Sequence, residues 1–328
     1  MNVVNKRQNW IDWMKTIGIF LIIYGHLFSF AYMYIYTFSV PLFFFVSGYL
    51  CKIEANTHVF WKKIFYNLLV PMFLLAAICL TVDSVLDIWH GKFEIANVLL
   101  FFPRVLIGAH TGVGTLWFVY TLIILKIINQ FIGNTPAVYL LIFLCLPIAG
   151  ITLNICDPCW NGKSIIGSSI AILNVCVAAP FFLFGIWFRR YNLQQMFSDG
   201  NKEKLFVVMS LLLVYVCTKL NGEVWMYQNG YGRDFFLFLL GGCFGIYLVY
   251  FISRCLDRYK FKMVLAISKG TIIVLAFHTY LIKILVRRFF ESPSLLDFVF
   301  AFLILIAFLP IIKFVEWKVP ILMGKYRK

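Results

Sequence analysis

Charge is scarce in this sequence. Asp, Glu, Lys and Arg make up 13% of its 328 residues, where a soluble globular domain carries about 25%. With 62% hydrophobic residues, the chain cannot cover a water-facing surface, which excludes an ordinary soluble enzyme. The same apolar weight excludes a disordered protein, and nine scattered cysteines do not make a disulfide-stapled secreted module. No Cys/His set has zinc spacing, so no metal is expected. No polar stretch between apolar runs is long enough for an extramembrane domain, and no internal repeat is visible. The first apolar run lacks a small-residue cleavage site after it, so no cleavable signal peptide is expected.

What is present is apolar sequence in long runs. A membrane-spanning helix needs ~20 mostly apolar residues, and 328 residues leave room for roughly ten. The expected fold is an all-α, polytopic integral membrane helix bundle forming one domain over residues 1–328. Runs near 11–34, 38–51, 64–86, 115–132, 137–154, 169–188, 204–221, 234–253, 268–287 and 295–314 mark the helices. The second run is short and is expected to start just before Pro41, as helices often do. The stretch 87–114 has too many breaks for a span and is expected to lie at the interface or re-enter the protein.

The net charge of +15, from 29 Lys and Arg against 14 Asp and Glu, suggests nucleic acid in a soluble protein. In a membrane protein it reads first as topology, because cytoplasmic loops hold the basic excess. With both termini cytoplasmic, only Lys92, Arg104, Lys163, Lys219, Arg233, Lys283, Arg287 and Arg288 fall outside. The other 21 of the 29 lie inside, so ten helices run N-in and C-in. No nucleic-acid partner is expected; the partners are the bilayer and whatever the scarce polar groups bind. Cys156 and Cys159 form the one tight pair, open to a disulfide or to chance spacing.

The first helix, NWIDWMKTIGIFLIIYGHLFSF, carries Asp12, Lys15 and His26. Eleven residues separate Lys15 from His26, about three turns, and fourteen separate Asp12 from His26, about four. All three share one face, and His26 lies ~16 Å along the axis from Lys15, roughly midway through the hydrocarbon. Ionisable groups at that depth face a bundle interior or a wet cavity. The residues leave two readings open: a functional site, or a histidine bonded to a neighbouring helix with Lys15 snorkelling to the interface.

WIDWMKTIGIFLIIYGH followed by FSVPLFFFVSGYL resembles acyltransferase family 3, and within it the bacterial branch that O-acetylates exopolysaccharides, capsules and sugars such as fucose. FWKKIFYNLLVPMF, GTLWFVYTL, APFFLFGIWFRR and GTIIVLAFHTYLI are similar to later family segments, in the family's order, from about residue 10 to about 285. Three positions depart: Lys15 where many members have Arg, Ser39 where the loop usually has His, and Asn67 where an Arg usually stands. The resemblance implies that His26 is the catalytic histidine and that acetyl-CoA is the donor. It implies too that the basic pair Lys62 and Lys63 meets the donor phosphates on the cytoplasmic side, and that the protein sits in the bacterial inner membrane.

The chemistry fits. O-acylation needs a base for a poorly acidic hydroxyl, which an imidazole near neutrality supplies. A polyanionic donor needs a basic entrance, and Lys15 can support either the donor's charge or the histidine. Asp12 reads as an anchor for Lys15 at i, i+3 or as an interfacial carboxylate. His278 reads as a bundle histidine or a second site residue. Trp117 reads as core or as a stacking partner for a sugar, and Ser39 as a substrate contact. His58, His90 and His110 read as solvated. The expected function is O-acetylation of a cell-surface or capsular polysaccharide or its precursor sugar. The competing class is a transporter of glycan or lipid-linked sugar, which would show broken helices in matching halves; none are seen.

Overall fold

The computed structural model describes residues 7–132, 171–194, 200–286 and 293–325. The predicted helix at 137–154, the pair Cys156 and Cys159, and Lys163, Arg287 and Arg288 lie outside the described residues. Within them regular structure is helical, apart from an isolated antiparallel bridge between Trp225 and Gly230.

The helices are α1 (Asn9–His26), α2 (Tyr32–Leu50), α3 (Thr57–Ile64), α4 (Val70–Trp89), α5 (Ile95–Leu99), α6 (Phe101–Leu106), α7 (His110–Val113) and α8 (Trp117–Ile132). After these come α9 (Asn174–Arg190), α10 (Gly200–Asn221), α11 (Phe235–Cys255), α12 (Lys262–Lys269), α13 (Thr271–Leu285) and α14 (Asp297–Lys318). Six described helical stretches are long and apolar enough to cross a membrane: Tyr32–Leu50, Thr57–Trp89, His110–Ile132, Ala171–Arg190, Phe235–Cys255 and Asp297–Lys318. The pair α12 and α13, bent by 85° at Gly270, makes a seventh if counted as one broken span.

Two sequence expectations are corrected. The first run does not continue to residue 34: α1 ends at His26, and Phe28 takes φ 51°, a backbone that a continuing helix cannot use. The flanking residues are apolar on both sides, so composition hides the break. The second helix therefore starts at Tyr32, and Pro41 lies inside it rather than at its start. A proline inside a membrane helix is tolerated where a neighbour packs over the freed backbone. Here Gly241 and Gly242 of α11 bring that helix against Thr37, four residues before Pro41.

Close approach of backbones sets the core. A side chain at Gly48 would collide with the Phe182 carbonyl of α9, and one at Gly185 with the Phe45 carbonyl of α2. Reciprocal glycines of this kind let membrane helices pack by direct backbone contact. Phe44, Phe45, Phe181 and Phe182 fill the space around that crossing and are almost fully buried. α1 runs through the middle, packed on α2, α11, α12, α13 and α14.

The bundle has two distinct ends. At one, Trp10 at the start of α1 meets Tyr49 at the end of α2 and Tyr250 near the end of α11, with ring centroids 5.0 and 5.4 Å apart. At the other, His26 meets Tyr36, and Tyr36 meets Trp225, at 5.7 and 5.2 Å. The stretch 87–114 forms the end of α4 and the short helices α5 to α7, with Trp89, Ile95, Leu99 and Phe102 exposed.

Candidate active site

His26 closes α1, and its ring reaches His278 in the middle of α13. The two imidazoles meet edge to face, with centroids 4.7 Å apart. His26 Nδ1 lies 2.9 Å from the Ile22 carbonyl. His278 Nδ1 lies 3.0 Å from the carbonyls of both Val274 and Leu275. A carbonyl only accepts, so each Nδ1 is the protonated nitrogen and each Nε2 carries the free lone pair. His278 is fully buried, and its Nε2 has no hydrogen-bond partner among the described residues.

Two cavities reach His26 from opposite ends of the bundle, and the first also reaches His278. The first, about 260 Å³, is lined by Lys15, Asn67, Ser268 and Lys269, then by Ile19, Ile22, Phe43 and Leu275, and ends at His26 and His278. The second, about 460 Å³, is lined by His26, Tyr36, Asp83, His110, Trp225, Tyr227, Tyr280 and Lys283. His26, Val40, Thr115 and Trp117 line both. A molecule in either cavity therefore meets the same imidazole.

Lys15 makes no hydrogen bond or ion pair among the described residues and faces the first cavity. Asp12 is not its anchor. The Arg7 guanidinium grips the Asp12 carboxylate with two bonds of 2.7 and 2.6 Å, and Ser268 Oγ donates a third of 2.6 Å. Asp12, 5% exposed, thus ties the start of α1 to the end of α12, beside the bend. The carboxylate holds the Arg7 pKa above its usual value, chiefly through the direct hydrogen bond.

The remaining sequence candidates divide. Trp117, almost buried, lines both cavities. Lys62 and Lys63 are exposed on α3 and line neither; Lys63 pairs with Glu54 at 2.6 Å. Ser39 is fully buried, lines neither cavity, and leaves its hydroxyl without a partner among the described residues. Asn67 sits in a π-helical turn, Phe65–Leu69, an insertion that commonly redirects side chains at functional sites; it lines the first cavity.

Sequence reasoning missed several lining residues. Lys269 lies at the first cavity and pairs with Glu316 at 3.3 Å. Lys126 on α8 stands within electrostatic range of Lys15, so two cations that read as topology anchors stand at or near that mouth. His110, read as solvated, lines the second cavity with its ring 5.1 Å from Tyr227. Among the described residues no group of three or more His, Cys, Asp or Glu is placed to hold a metal ion.

Comparison with known protein families gives one match: the model of an acyltransferase domain covers residues 8–314. No curated protein and no solved structure matches the chain.

Proposed function

Since the chain belongs to this acyltransferase family and is itself an acyltransferase, we propose that it is an integral membrane O-acetyltransferase that moves an acetyl group from acetyl-CoA to a hydroxyl of a cell-surface or capsular polysaccharide or its precursor sugar. The observation that carries this reading is the convergence of two cavities on His26. One takes the donor, the other the acceptor.

The first cavity suits a coenzyme A thioester. Its mouth holds Lys15 and Lys269, and its inner walls are apolar. The axial distance from Lys15 to His26 is ~16 Å, the scale of an extended phosphopantetheine arm. With its phosphates at the lysines, the thioester reaches the histidine. At that separation Lys15 cannot act on the His26 ring, so of its two sequence-derived roles the donor's charge is the one geometry supports. Lys62 and Lys63, outside the cavity, are proposed to meet the more distal phosphates. The second cavity takes the acceptor.

The step follows from the tautomer. His26 Nε2 accepts the proton of the acceptor hydroxyl as that oxygen bonds to the thioester carbonyl carbon. The carbonyl oxygen carries the negative charge until the carbon–sulfur bond breaks. The ester forms, and the departing thiolate takes the proton back from the imidazolium. No acyl-enzyme is needed, because donor and acceptor meet at one base. His278 is proposed to hold the His26 ring edge-on and Trp117 to wall the reacting centre. Ser39, off both cavities, is left only an indirect role in acceptor binding.

Ten helices with both termini cytoplasmic, in a bacterial inner membrane, complete the proposal. Its support is the six to seven candidate spans among the described residues, the apolar run at 137–154 and the uneven distribution of basic residues between alternate loops of the sequence. His26→Ala tests the assignment. The expected result is a fall of at least about 10²-fold in acetyl transfer from labelled acetyl-CoA, the scale of a lost general base, at unchanged expression. Transfer at the wild-type rate overturns it.

A further inference from the structure

The acceptor cavity has one wall that is built, not merely lined. Residues 222–233 form a loop closed on itself. Trp225 N–H donates to the Gly230 carbonyl at 2.8 Å, and Gly230 N–H donates back to the Trp225 carbonyl at 3.1 Å. Asn229, between them, takes a left-handed φ of 61°. The loop is pinned to α10 by Asn221, whose side chain donates to the Tyr231 carbonyl at 2.9 Å and accepts from Asp234 N–H at 2.7 Å. Tyr231 OH donates to Asn174 of α9 at 3.1 Å. This much hydrogen bonding holds one short loop in a single shape.

What the loop holds in place is Trp225. Its indole N–H donates to Glu223 at 3.0 Å, and Glu223 also accepts from Tyr32 OH. The N–H is thereby taken by a carboxylate of the loop itself, and what the indole offers the cavity is its aromatic surface. Tyr36 and Tyr227 flank it, with centroids 5.2 and 6.0 Å away, and Tyr36 in turn touches the His26 ring at 5.7 Å. Among otherwise mostly apolar walls the cavity also carries polar groups: Asp83 from α4, with Tyr280 and Lys283 from α13. An oriented aromatic surface beside a carboxylate and an ammonium matches a ring with one apolar face and hydroxyls at its rim.

We infer that Trp225 is a stacking platform that seats the flat face of a pyranose ring, with Asp83 and Lys283 hydrogen-bonding its hydroxyls and one hydroxyl directed along Tyr36 to His26. The platform selects cyclic over open-chain acceptors, because only a ring presents a flat C–H face to the indole, and a preorganised wall costs little ordering on binding. This rests on the acceptor reading of the second cavity and adds to it the residue that sets specificity.

Binding and turnover are measured on one preparation, the full chain in lipid nanodiscs. Saturation-transfer NMR with methyl pyranosides as probes is expected to give ring-proton signals for the wild type and none for sorbitol. Trp225→Phe keeps the signals, and Trp225→Ala weakens binding about tenfold. Signals of equal strength in Trp225→Ala, no signals in the wild type, or equal signals from sorbitol overturn the platform. His26→Ala is expected to keep the signals while losing acetyl transfer. If it keeps both, the catalytic reading falls and the platform stands.

Discussion

Asp12 shows how much one buried carboxylate organises. It accepts two bonds from Arg7 and one from Ser268, so the ends of α1 and α12 share a single charge. Ser268 also lines the first cavity, so a change at Asp12 reaches that cavity's wall through Ser268. Asp12→Ala removes all three acceptor contacts. Bonds to charged groups are worth roughly 1.5–3 kcal/mol each, but Arg7 is half exposed, so the expected loss is about 2 kcal/mol in all. Asp12→Asn keeps the Ser268 contact and is expected to lose about half as much. Thermal melting of the detergent-solubilised variants ranks them; an unshifted melt for Asp12→Ala contradicts the tie. The alignment of Asp12, Lys15 and His26 was legible in the sequence because one helix carries all three at helical spacing. The bond from Asp12 to Ser268 was not, since 256 residues separate them and nothing local marks either end.

At the scale of the element, the crossing of α2 and α9 is the tightest constraint on the frame around the site. Val40, which lines both cavities, and Gly48, which touches the Phe182 carbonyl, lie on the same helix. A side chain at position 48 has no flexible neighbour to displace, only backbone. Gly48→Ala is expected to destabilise by about 1–3 kcal/mol as an overpacked contact, and Gly48→Leu to abolish folded protein, read as loss of a monodisperse peak in size-exclusion chromatography. A normal peak for Gly48→Leu contradicts the crossing. The long apolar runs made α8, α10, α11 and α14 readable to within a few residues. The elements that position the site were harder to read. These are the turn at Phe28, the π-turn that carries Asn67, the bend at Gly270 and the loop that holds Trp225. Hydropathy runs on across the first two; polar residues mark the breaks near Gly270 and at 222–233 but not their shape.

For the molecule as a whole, the two cavities make the proposed reaction sided. Lys15 and Lys269 lie at the mouth of one, with Lys126 near Lys15. The aromatic loop closes the other, and Asp83 there balances Lys283. A polyanionic thioester is drawn to the first end by charge and has no comparable attraction at the second. It also cannot cross the hydrocarbon to change sides. The cavities share only four residues, and on the proposed reading the acetyl group, not the donor, passes between them. Sealed vesicles separate the two faces. With acetyl-CoA outside, inverted vesicles, which in the proposed topology expose the start of α1, are expected to release thiol at the full rate once acceptor is present within. Right-side-out vesicles are expected to release almost none until they are permeabilised. Equal release from both orientations means that the donor reaches His26 from either end, and the division of the two cavities between donor and acceptor then fails. Lys15→Ala in the inverted vesicles sharpens the result. A higher KM for acetyl-CoA at nearly unchanged kcat is expected of a residue that binds the donor's charge about three helical turns from the chemistry.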